Sequence, residues 1–110
     1  MTLTELYMIR DITKEIEEDR SRIDRIEKQF GKEAAEEIRK TIEAKTVRLI
    51  EAYSRATAYI SAVDDSHVRR ILSLRFIDCR SWQYIAAKLG GRVNANGVRM
   101  MCNRYVKRNG

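Results

Sequence analysis

Apolar residues fall in two long heptad series in the first half of the chain and in three short clusters in the second. Ile9, Ile12, Ile16, Ile23, Ile26 and Phe30 occupy a and d positions, with Asp19 as the one polar interruption. That spacing predicts a helix with a coiled-coil seam. Ala35, Ile38, Ile42, Leu49, Ala52, Ala56, Tyr59 and Val63 form a second series, interrupted by Lys45. The two are out of phase, because the first register would place its next a and d positions at Glu37 and Lys40. The chain is therefore expected to turn at Gly31, a residue suited to the left-handed position that ends a helix. Two antiparallel helices follow, about Thr4 to Phe30 and about Glu33 to Ala62. Nothing between Gly31 and Ala35 can cap the second helix, so a kinked continuous helix is the alternative. In the hairpin, Asp19 and Lys45 come within about one turn of each other and are expected to form a polar contact that fixes the register.

Beyond Val63 the long seams give way to three short helical segments, the grammar of a helix-turn-helix domain. The first starts after Asp64 and Asp65, with Ser66 as the expected N-cap, and carries Val68, Ile71, Leu72 and Phe76 on one face. Ser81 caps the second, in which Ile85 and Leu89 point inward, Ala86 permits a close helix crossing and Trp82 packs on the scaffold. Gly90 and Gly91 end it. Asn94 caps the third, whose inner stripe is read as Val98, Met101 and Tyr105. Asn96, Arg99 and Asn103 share another face of that helix and stay free.

The expected fold is thus all-α without a sheet. Residues 1–62 form a helical hairpin arm and residues 63–110 a three-helix helix-turn-helix domain. The 110-residue length and the absence of proline agree with that reading.

Charge sharpens the functional reading. Residues 1–62 hold 12 basic and 13 acidic side chains, whereas residues 63–110 hold 10 and 3, so the whole net charge of +6 comes from the C-terminal part. A concentrated positive field is what attraction to a polyanion requires. An α-helix fits the major groove, where Arg pairs with guanine and Asn with adenine. Arg92, Lys107 and Arg108 flank the third segment as expected phosphate contacts.

Other chemistry finds no foothold. Cys79 and Cys102 form no CxxC pair and His67 is the single histidine, so neither a zinc site nor a disulfide framework is indicated. His67 has no partnered nucleophile, and Asp64 and Asp65 read as charge at a helix start, so no catalysis and no cofactor are expected. No apolar run approaches the ~20 residues of a membrane span, and the start lacks the order of a secretory signal; a cytoplasmic protein is expected.

Residues 64–108 resemble region 4 of bacterial sigma-70 factors, and more closely the short phage and prophage regulators built on that module. The matching stretches are VRRILSLRFID, SWQYIAAKLG and VNANGVRMMCNRYVKR, the second being the most specific. The resemblance implies that the second helix braces the DNA backbone, that the third reads the major groove, and that parts of the module dock on RNA polymerase. By position it makes Ala95, Asn96, Arg99 and Met100 the base readers, with Asn103 added from the free face. Ala95, Asn96, Gly97 and Met100 stand where sigma factors carry longer polar or charged side chains, and Gly91 and Arg92 lengthen the turn. No second module for melting a promoter accompanies it. The expected function is a sequence-specific DNA-binding transcription regulator acting with RNA polymerase. The alternatives are a polymerase-binding adaptor that reads no bases and a phage packaging or assembly protein. The arm serves either as a spacer or as the contact of a homodimer.

Overall fold

The computed structural model describes residues 1–109. Helix α1 (Leu3–Phe30) and helix α2 (Lys32–Ser61) form a packed antiparallel hairpin joined by the single residue Gly31. Gly31 sits at φ 93° and ψ 172°, a conformation that a side chain would strain. Thr2 caps α1 by accepting from the Glu5 amide, while α2 starts without any side-chain cap, as the sequence around Gly31 requires.

Ile9, Ile12, Ile16, Ala35, Ile42, Ala52 and Ala56 are buried between the helices, as the two seams predict. The expected contact also forms: Lys45 Nζ donates to Asp19 Oδ2 at 2.7 Å. The seam ends earlier than its periodicity suggests. Ile23 and Ile26 are half-buried, and Phe30 is 68% exposed because α2 begins too soon after the turn to cover it. Towards the tip an ion pair between Arg39 and Glu27 at 3.0 Å ties the helices instead. Leu6 and Ile60, outside both heptad series, are buried at the other end.

Helices α3 (Ser66–Leu72), α4 (Trp82–Lys88) and α5 (Ala95–Asn109) complete the chain. Asp65, not Ser66, is the cap of α3: its carboxylate accepts from the amides of His67 and Val68 at 2.9 and 3.2 Å. A carboxylate is the stronger partner for a positive helix end, which displaces Ser66 into the first turn. The scaffold helix is not α-helical throughout. Residues Ser73–Ile77 continue α3 as a π-helical turn, closed by the Asp78 amide donating to the Ser73 carbonyl at 3.0 Å. This wider turn carries two neighbours, Arg75 and Phe76, into the interior together.

One core runs across the expected boundary at residues 62 and 63. Leu6, Ile9, Ala52, Ala56 and Ile60 from the hairpin join Val63, Ile71, Leu72, Phe76, Ile85, Val98, Cys102 and Val106. The Tyr7 ring meets Phe76 edge-on at 5.1 Å between centroids. The base of the hairpin is therefore one wall of the C-terminal unit, while the rest of the hairpin extends a molecule 52 Å long and 26 Å wide. Among the described residues no helix is long and apolar enough to cross a membrane.

Candidate nucleic-acid interface

The interface is built from the turn that aims α5. After Lys88, the Gly90 amide donates to the Ala87 carbonyl at 3.2 Å and the Gly91 amide to the Ala86 carbonyl at 2.9 Å. This is a Schellman closure, with Gly90 at φ 104° where an L side chain is disfavoured. Asn94 then caps α5, its Oδ1 accepting from the Gly97 amide at 2.8 Å. A side chain at position 97 would overlap Val93, so glycine lets the lengthened turn lie close against the first turn of α5.

The inner stripe of α5 is Val98, Cys102 and Val106, all buried, with Met101 and Tyr105 only half-buried beside it. The stripe follows i, i+4, i+8 rather than the expected i, i+3, i+7, and the rotation brings Cys102 to the centre. Burial pushes its thiol up to about 12. Cys79 is half-buried and both cysteines are unbridged.

Opposite this stripe Asn96, Arg99 and Met100 are exposed. They are coupled. Arg99 Nη2 donates to Asn96 Oδ1 at 2.6 Å, and Asn96 Nδ2 lies 3.7 Å from the Met100 sulfur. Arg99, Met100, Asn103, Arg104 and Lys107 line one shallow depression along the helix. Two expected readers are less prominent. Ala95 is half-buried, and Asn103 is half-buried with its Oδ1 enclosed and without a partner. Arg92 is exposed before α5, and Lys107 and Arg108 are exposed at its end, so the three expected phosphate contacts bracket the helix. Arg104 escaped the sequence reading, although its place four residues after Met100 puts it on the same side.

Two further cations of this region are internal supports. Arg69 donates to the Val63 carbonyl at 2.7 Å, tying α3 to the end of α2. Arg75 is 8% exposed, with its guanidinium 4.3 Å from the Trp82 ring centroid and 5.7 Å from that of Tyr7. It donates to the Arg80 carbonyl at 3.0 Å, across a turn in which Cys79 adopts φ 56°. Burial lowers its pKa, and the two ring faces help to hold the cation there. Trp82 is thus the packing residue that the sequence suggests. The other eight cations of residues 63–110 are exposed; one of them, Arg80, lies over the Tyr84 ring at 4.7 Å.

No family model, curated protein or solved structure matches the chain. Among the described residues no group of His, Cys, Asp and Glu could hold a metal ion.

Proposed function

We propose that this chain is a sequence-specific double-stranded DNA-binding regulator of transcription, of the phage or prophage type, working with RNA polymerase. The observation that carries the reading is the exposed side of α5, where Asn96 holds Arg99 within a row continued by Met100, Arg104 and Lys107. Asn96 takes one of the two Arg99 Nη2 hydrogens; the other, with a neighbouring N–H of the same guanidinium, still offers a bidentate fork to guanine O6 and N7. Asn96 is better suited to bracing Arg99 than to pairing with adenine itself, because adenine would have to share the Oδ1 that already accepts from Arg99.

Exposed cations at both ends of α5 supply the sequence-independent attraction to phosphate. The transcriptional role rests on the resemblance of residues 64–108 to sigma-70 region 4, and the polymerase contact rests on it alone.

Selection of bound sequences from a random DNA pool tests the proposal, followed by affinity measurements with Arg99→Ala. Recovery of one defined motif, with selectivity lost in the variant and weak non-specific binding kept, supports base reading. A pool that never converges rejects it.

A further inference from the structure

Val47 and Ile50 are 57% and 59% exposed on the side of α2 that faces away from α1. The other large exposed apolar side chains are at the hairpin tip, Phe30, or in the C-terminal unit, Tyr84, Val93 and Met100. Ser54 continues the Val47–Ile50 side and Ala44 and Ala58 border it with small exposed residues, which let another helix approach closely, while Glu43 is the one exposed charge on the same side a turn earlier. The outward side of α1 differs, being lined by Asp11, Lys14, Glu17 and Glu18.

We infer that this side of α2 is the docking surface for a second copy of the chain, paired antiparallel about a two-fold axis between Val47 and Ile50. The charges choose the occupant. Arg48 and Glu51 flank the apolar pair on one edge, both are exposed, and neither has an ion-pair partner among the described residues. Antiparallel pairing sets Val47 of one copy beside Ile50 of the other and Arg48 beside Glu51, and the symmetry makes each contact twice. A parallel two-fold pairing would instead carry the two Arg48–Glu51 edges to opposite sides of the interface, where they do not meet. Two hairpins joined in this way set four helices in a row, α1 and α2 of one copy followed by α2 and α1 of the other, which adds a second apolar contact to the thin middle of the arm, where Ile12, Ile16 and Ile42 are the buried cluster.

The geometry has a consequence that rests on the DNA-binding reading. At about 1.5 Å per residue, each Ser61 lies about 19 Å from the axis, so the two C-terminal ends of α2 stand about 38 Å apart. That is close to one turn of B-DNA, roughly 34 Å, and the two-fold relation suits inverted half-sites.

Sedimentation velocity over a concentration series, without DNA, tests the pairing in the full chain. The unmodified protein is expected to dimerise, V47E/I50E to remain monomeric with unchanged helical circular dichroism, and R48E to weaken the dimer at least about tenfold. R48E/E51R restores the opposite charges across the axis and is expected to recover the dimer. A monomer at every concentration overturns the inference, as does a dimer indifferent to R48E or one that R48E/E51R fails to rescue. Because no DNA is present, none of these outcomes decides whether α5 reads bases.

Discussion

Lys45 and Asp19, 26 residues apart in sequence, meet at 2.7 Å across the hairpin, and Arg22 adds a second bond to the same carboxylate at 3.0 Å. The hydrogen bond from Lys45 holds the Asp19 carboxyl below its ordinary 3.8 against the opposing effect of burial. The same bond holds Lys45 above 10.5. The Asp19 contribution to stability is therefore complete above pH 3.8 and lost as the pH falls through the lower folded value. The Lys45 contribution is complete below pH 10.5 and lost as the pH rises through the higher folded value. Lys45→Met is expected to lower the melting temperature by several degrees, and replacing both residues by leucine to recover part of the loss while giving mixed association states. Thermal melts and sedimentation check both; a single sharp species from the double variant would remove the register role.

Arg99→Ala and Asn96→Ala should be strongly non-additive in binding to a selected DNA. Arg99→Ala is expected to weaken it about 10- to 100-fold, corresponding to roughly 1–3 kcal/mol of lost discrimination. Asn96→Ala should weaken it less, and scarcely at all once Arg99 is gone. Additive losses in a titration cycle would mean that Asn96 contacts DNA independently of Arg99.

Binding should also fall steeply with salt. With Arg80, Arg92, Arg104, Lys107 and Arg108 on five phosphates, the log-log slope is expected near −4 to −5. Fluorescence anisotropy at several ionic strengths measures it, and a slope near zero would reject the phosphate footprint.

Because Phe76 is fully buried where the hairpin meets the C-terminal helices, Phe76→Ala should destabilise both by about 3–5 kcal/mol. Far-ultraviolet and Trp82 fluorescence melts should coincide, in the variant as in the parent. Two separated transitions would show that the hairpin base and the helix-turn-helix unit unfold independently.

The two thiols should differ in reactivity. Cys102 is 0% exposed with its pKa near 12, so a thiol reagent at neutral pH should modify Cys79 first and Cys102 only on unfolding. Two equally fast equivalents in the native protein would contradict the burial.

Much of the architecture is legible because its signals are local. Heptad spacing marks both long helices, Gly31 the turn, and Ser81 and Asn94 the caps of α4 and α5. The Asp19–Lys45 contact follows from the one polar gap in each seam. What escaped depends on neighbours distant in sequence. Arg75 looks like one more member of a basic region until Tyr7 and Trp82 close on it, and no periodicity announces the π-helical turn that carries it inward. Phe30 keeps the heptad but lacks a partner, because α2 starts one residue after the turn. In α5 a rotation of one residue, set by contact with α3 and α4, exchanges Met101 and Tyr105 for Cys102 and Val106. The same packing leaves Asn103 half enclosed, which spacing alone could not reveal.

The wall that Leu6, Tyr7 and Ile9 provide has a practical corollary for engineering. A cassette beginning at Val63 would leave Phe76 facing water and Arg75 stripped of one of its two aromatic neighbours, so the apparent helix-turn-helix is not portable by itself. Chimeras that borrow α5 would have to carry the opening turns of the polypeptide along with it.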